Sequence, residues 1–135
     1  MKQHGFPKSA RLLRRADYRR VYSEGRRRNL DWLVAFLLPT GRTDSRVGLT
    51  VPSALGGAVV RNRIKRRLRE AVRRNRSAIG PGWDIVLQPR PAVLAQEFGA
   101  IHEAVRKLFE GCAQSALRAA NAGKDGGGES RKTQG

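Results

Sequence analysis

A chain of 135 residues is long enough for one domain with one modest core and too short for two of ordinary size. With 28 Lys and Arg against 11 Asp and Glu, the net charge is +17, while 39% hydrophobic residues are enough to fold; this excludes a wholly disordered chain and points to a polyanionic partner, nucleic acid ahead of an anionic membrane. The one cysteine, Cys112, excludes an intramolecular disulfide and a cysteine metal cluster, and no stretch approaches the roughly 20 apolar residues of a membrane span, so a reduced, cytoplasmic setting without membrane association is expected.

Residues 1–9 read as a flexible basic lead-in, 10–117 as one α+β domain, and 118–135, polar and glycine-rich, as a disordered tail. Leu13, Tyr18, Val21 and Tyr22 recur near helical spacing and predict a short helix over Ala16–Glu24, with Gly25 as a left-handed C-cap. Arg26, Arg27 and Arg28 read as a basic turn. The run from Asp31 to Leu38 predicts a strand that is apolar on both faces.

From Arg46 to Val51 the chain alternates. Val47, Leu49 and Val51 oppose Arg46, Gly48 and Thr50, so one face of that strand is covered and the other is open. Pro52 ends the strand, and Gly56-Gly57 lead into a helix from about Ala58 to Ser77. On it Val60, Ile64, Leu68, Ala71 and Val72 form a narrow apolar stripe. Lys65, Arg66, Arg69, Arg73 and Arg76 occupy the opposite arc, interrupted by the single acid Glu70. Like charges at this spacing repel by roughly 0.2–0.5 kcal/mol per pair, and arginine's planar fork suits phosphate oxygens. The face therefore calls for an external anion.

After the turn Gly80-Pro81-Gly82, Trp83 to Gln88 predicts a third strand, with Trp83, Ile85 and Leu87 opposed to Asp84, Val86 and Gln88. Pro89 and Pro91 break it. A last helix over Gln96–Cys112 places Leu94, Phe98, Ile101, Val105, Leu108 and Cys112 in a stripe facing the core. The predicted order is helix, strand, strand, helix, strand, helix: a small sheet of three to four strands with helices on one face and the other face partly bare.

No motif for chemistry is present. His4 and His102 stand in no catalytic pattern, the acids are scattered singly, and there is no Walker loop or nucleophile signature. Trp83 reads as core. Tyr18 and Tyr22, one helical turn apart among Arg14, Arg15, Arg19 and Arg20, suit a buried pair and a base-stacking platform equally well, and Phe36 joins them if its strand face is the open one.

Taken in order, RLLRRADYRRVY, RVGLTV, GGAVVRNRIKRRLRE and GWDIVLQPRP resemble the protein subunit of bacterial ribonuclease P, from about Phe6 to Cys112. The resemblance implies a ribonucleoprotein endonuclease that removes the 5′ leader of precursor tRNA. Its RNA subunit carries the magnesium-dependent hydrolysis, and the protein alone holds no cofactor and needs no protein partner. It implies leader contacts at Tyr18, Tyr22, Phe36, Asn62, Lys65 and Arg69, and contacts with the catalytic RNA at Arg61, Arg63, Arg66, Arg67 and Arg73. It also implies a left-handed βαβ crossover, as in a ribosomal-protein domain, against the rule that about 98% are right-handed. Pro52, Ser53, Ala54 and Gly57 depart from the pattern, which usually carries a serine and two lysines before the glycines and an asparagine after the first of them.

Two other readings stand beside this one: a structural RNA-binding protein of the ribosomal kind, and a DNA-binding module laying the basic helix in a major groove, although the chain has no dimerisation heptad for the latter.

Overall fold

The stretch Leu33–Pro39 is apolar at nearly every position and must be covered on both faces, and that requirement sets the architecture. In the computed structural model, which describes the backbone of residues 10–125 and the side chains of 10–115, it is the strand β2. The elements run α1 (Arg15–Glu24), β1 (Arg26–Asn29), β2, β3 (Arg46–Leu49), α2 (Ala58–Asn75), β4 (Trp83–Pro89) and α3 (Phe98–Asp125). The strands form one mixed sheet in the order β1-β2-β4-β3. β2 pairs antiparallel with both β1 and β4, and β3 lies parallel to β4, joined to it through α2.

Alternation along the strands divides the interior in two. On one face Leu33, Ala35, Leu37, Val47, Ile85 and Leu87 meet Ile64, Leu68, Ala71 and Val72 of α2 and Ile101, Val105, Leu108, Phe109 and Cys112 of α3. Trp83 belongs to this core, as its strand face predicts. Leu68 is fully buried there, and truncating such a leucine to alanine costs about 2–5 kcal/mol.

The helices do not share one face. α1 packs on the opposite side, where Val21, Leu12 and Val86 form a small second cluster joined by Tyr18, Phe36 and Leu38. The expectation of a sheet covered on one side only is corrected accordingly: Phe36, Leu38 and Val86 are too apolar to be left to water, and α1 covers them.

β1 replaces the predicted basic turn. All four of its residues are exposed, so no apolar period marks it, and it exists because its backbone pairs with β2 in the register Arg26↔Leu37 to Asn29↔Val34. Gly25 does not take the left-handed cap conformation, since its φ is −78°. What requires glycine there is close approach: a Cβ would lie 2.5 Å from the Val21 carbonyl oxygen and 3.1 Å from that of Leu37.

The last helix also differs from expectation. Leu94 lies before it, exposed in the short 3₁₀ turn Pro91–Ala95, and Phe98 is half-buried outside the core, while Phe109 fills the stripe instead. The backbone stays helical to Asp125, past the expected end near Cys112 and into the stretch expected to be tail. The alanines at 113, 116, 119, 120 and 122 favour this extension. The lead-in 1–9 and the remainder of the tail, 126–135, lie outside the described residues. Among the described residues no helix is long and apolar enough to cross a membrane.

Candidate nucleic-acid interface

The open-face residues of β3 each engage α1. Arg46 grips Asp84 of β4 with two hydrogen bonds, Nε to Oδ1 at 3.0 Å and Nη2 to Oδ2 at 2.7 Å, and reaches Asp17 of α1 at 3.4 Å. Asp84 has no exposed surface, so this pair anchors the start of α1 to the sheet. Two residues on, Gly48 lies directly beneath Tyr18, where an added Cβ would come within 2.6 Å of the hydroxyl oxygen. Beyond it, Thr50 shares a hydrogen bond of 2.7 Å with the Tyr22 hydroxyl. The alternation Arg-x-Gly-x-Thr thus sets both tyrosines in place from below.

Tyr18 is half-buried in the second cluster, and burial pushes its hydroxyl above the ordinary tyrosine range; the Leu49 backbone and the charge of Arg69 pull the other way. Arg69 of α2 is near enough for its charge to act on the Tyr18 hydroxyl. Tyr22 stands at the rim, 37% exposed, with its ring edge-on to Phe36 at 4.8 Å between centroids. Arg27 of β1 places its guanidinium 5.8 Å from the centre of the Phe36 ring. Asn29 continues the line, its Oδ1 accepting from Arg27 Nε at 3.2 Å and from Arg90 Nη2 at 3.0 Å.

Of the expected leader-contact residues, Tyr18, Tyr22 and Phe36 therefore meet on one surface, and Arg69 borders it. Asn62 and Lys65 lie on the same flank of α2 as Arg69 by helical spacing, each one turn from the next. Within the described residues Asn62, Arg63, Lys65 and Arg66 make no side-chain hydrogen bond or ion pair.

The arginines expected to meet the catalytic RNA divide. Arg63 and Arg66 are exposed. Arg61 donates to the Gly56 carbonyl at 3.1 Å, Arg67 to the Gln96 carbonyl at 3.3 Å, and Arg73 to Glu70 at 3.1 Å. Hydrogen bonds from Arg73 and Arg74 hold the Glu70 carboxyl at about 2. Burial pushes the Cys112 thiol up to about 12, which keeps it an inert core residue.

Sequence reasoning missed Arg27, Gly48, Thr50 and the Arg46–Asp84–Asp17 network as parts of the site. The alternation of β3 had already placed Arg46, Gly48 and Thr50 on the open face; what it lacked was the knowledge that α1 crosses there. Among the described residues no three His, Cys, Asp or Glu side chains come together as a metal-ligating group.

Comparison with known proteins identifies the family. The ribonuclease P family profile matches residues 6–113. The ribonuclease P protein component of Desulforapulum autotrophicum is 36% identical over 110 residues, which cover 82% of this chain and 94% of that protein. That of Roseiflexus castenholzii is 43% identical over 101 residues, covering 74% and 83%. Among solved structures, the RNase P protein of Thermotoga maritima superposes with a TM-score of 0.67 at 32% identity, covering 74% of this chain and 94% of its own. The RNase P protein of Staphylococcus aureus gives 0.68 at 27% identity, covering 76% and 94%. The fold, the ordered motifs and these matches together establish that the chain belongs to the ribonuclease P protein family.

Proposed function

We propose that the chain seats the single-stranded 5′ leader of precursor tRNA on the α1 side of the sheet, between the Tyr18–Tyr22–Phe36 surface and the Asn62–Lys65–Arg69 flank of α2. Membership of the family makes it the protein subunit of ribonuclease P, acting in tRNA 5′ processing together with the RNA subunit and the tRNA substrate. The observation that carries the leader assignment is the series Arg69, Tyr18, Tyr22, Phe36, Arg27, in which three aromatic rings are flanked by a cation at each end.

That arrangement suits an unpaired strand. A duplex hides its base faces, whereas single-stranded bases stack on aromatic rings at about 1–3 kcal/mol each while arginine and lysine hold the phosphates. Tyr18 is fixed by Gly48 and Tyr22 by Thr50, so little side-chain freedom is lost when a base settles on them. Lys65 and Arg69 project from a helix anchored by its buried stripe and meet the backbone as pre-placed charges.

The hydrolytic chemistry would come from magnesium held on the RNA subunit. The protein's part is to bind and orient: fixing the leader relative to the RNA raises affinity for the precursor over the mature product. The remaining cations of α2, Arg63 and Arg66 first among them, are left for the RNA subunit.

Reconstitution of the full chain with a bacterial ribonuclease P RNA tests this reading. Affinity for precursor tRNA should rise with leader length, and Tyr18→Ala should lower affinity for leader-bearing substrate without changing that for leaderless tRNA. Equal losses for both substrates would remove Tyr18 from leader binding.

A further inference from the structure

Phe98 has the period of a core residue and is not in the core. It stands half-buried at the first turn of α3, outside both apolar clusters. Arg74 of α2 lies over its ring, with the guanidinium carbon 5.4 Å from the centroid, and the His102 ring is tilted beside it at 6.1 Å. Beside this group runs a recess of about 380 Å³ lined by Arg66, Arg67, Glu70 and Phe98. A position where good local patterning fails to be buried is where a functional surface is expected.

We propose that this recess is a second RNA-contact site, in which one unpaired base of the ribonuclease P RNA subunit stacks on Phe98 while Arg66 holds its phosphate. The proposal rests on the assembly with the RNA subunit described above, and its surface is separate from the leader cleft. The charge of Arg69 reaches Tyr18 of α1, and Asn62 and Lys65 share its flank by helical spacing, whereas Arg67 and Arg74 contact the start of α3 on the other flank of α2.

The chemistry favours a nucleotide over an apolar peptide. Glu70 is the one acid in the recess, and both of its oxygens accept from arginines, Oε1 from Arg73 and Oε2 from Arg74, so its charge is compensated. With Glu70 offset, Arg66 and Arg67 leave the recess cationic, and Arg66 makes no side-chain hydrogen bond or ion pair within the described residues. An aromatic face rimmed by guanidinium groups matches a base and its phosphate, and cation–π contact from Arg74 adds to the stack. Arg67 is tied to the Gln96 carbonyl, which fixes the wall of the recess and the entry to α3 together.

The test uses the full chain and a bacterial ribonuclease P RNA transcript without tRNA. Phe98→Leu keeps an apolar side chain and removes the aromatic face; Phe98→Trp keeps the face and adds an emission signal to those of the buried Trp32 and Trp83. Phe98→Leu is expected to weaken RNA affinity at least about fivefold with an unchanged urea midpoint, and the emission added by Phe98→Trp should be quenched on binding. Wild-type RNA affinity in Phe98→Leu, or unquenched emission from a bound Phe98→Trp protein, would overturn the site. Leader dependence measured on the wild-type holoenzyme reports separately on the cleft, so the two ideas fail independently.

Discussion

Gly48→Ala adds one methyl group under the proposed stacking surface. Its carbon would stand 2.6 Å from the Tyr18 hydroxyl oxygen, 2.7 Å from Cζ and 2.8 Å from Cε2, all closer than real side chains approach. Gly48 lies on the edge strand β3, but its backbone is held by pairing with Val86 of β4 and its neighbour Val47 is buried in the core, so the tyrosine ring must swing away. Overpacking of this kind costs about 1–3 kcal/mol of stability. Leader affinity should fall by a similar about 1–3 kcal/mol as the stacked base loses its ring, which is roughly 5- to 150-fold in Kd.

A double-mutant cycle isolates the cause. In a Tyr18→Ala background the ring is absent, and Gly48→Ala should then change leader affinity by no more than about 0.5 kcal/mol. Ultraviolet titration supplies a third readout. The displaced ring is more exposed, so the hydroxyl pKa, which burial raises in the wild type, should move back down toward its ordinary value. Additive losses in the cycle, or a Gly48→Ala protein with wild-type leader affinity, would refute the claim that Gly48 exists to seat Tyr18.

Arg46→Ala leaves the Asp84 carboxylate buried without its partner and should cost about 3–5 kcal/mol in urea denaturation, whereas Arg46→Leu with Asp84→Leu should recover most of that loss. Lys65→Ala and Arg69→Ala should each reduce the magnitude of the slope of log affinity against log salt by about 0.7 if each meets one phosphate of a single strand; an unchanged slope would take that residue off the interface. Glu70 has a depressed carboxyl pKa, so its contribution is present above the ordinary carboxylate range and is lost as pH falls toward about 2. Its side chain is one-third exposed, so the contribution is limited to the surface-pair scale of about 0.2–1 kcal/mol. A carboxyl carbon titration by NMR with a midpoint near 4 would contradict the pairing.

Periodicity made much of the molecule legible. The stripe from Ile64 to Val72 is the buried side of α2, and the alternation in β3 and β4 sorted Val47, Ile85 and Leu87 from Arg46, Asp84 and Val86 correctly. What escaped has physical causes. β1 is an edge strand of three arginines and an asparagine, exposed throughout, and only its backbone pairing with β2 makes it a strand. The position of α1 on the second sheet face depends on long-range contacts, Asp17 with Arg46 and Tyr22 with Thr50, that no local pattern reports. Phe98 followed the helical period and still missed the core, standing at the first turn of α3 against Arg74 and His102.

The candidate site was legible as residue types and not as a surface. Tyr18 and Tyr22 suited core and platform equally in sequence, and the structure gives them different positions: Tyr18 half-buried over Gly48, Tyr22 at the rim against Phe36. Arg27 was invisible as a site residue because the strand that carries it was itself unrecognised.

Leader-length dependence of precursor affinity in the reconstituted holoenzyme, compared between the wild type and Tyr18→Ala with Phe36→Ala, tests the leader assignment most directly. Wild-type affinity is expected to climb as nucleotides are added until the line from Arg69 to Arg27 is filled, and the double substitution should flatten that climb while leaving leaderless tRNA unaffected. An equally steep climb in both proteins would contradict it.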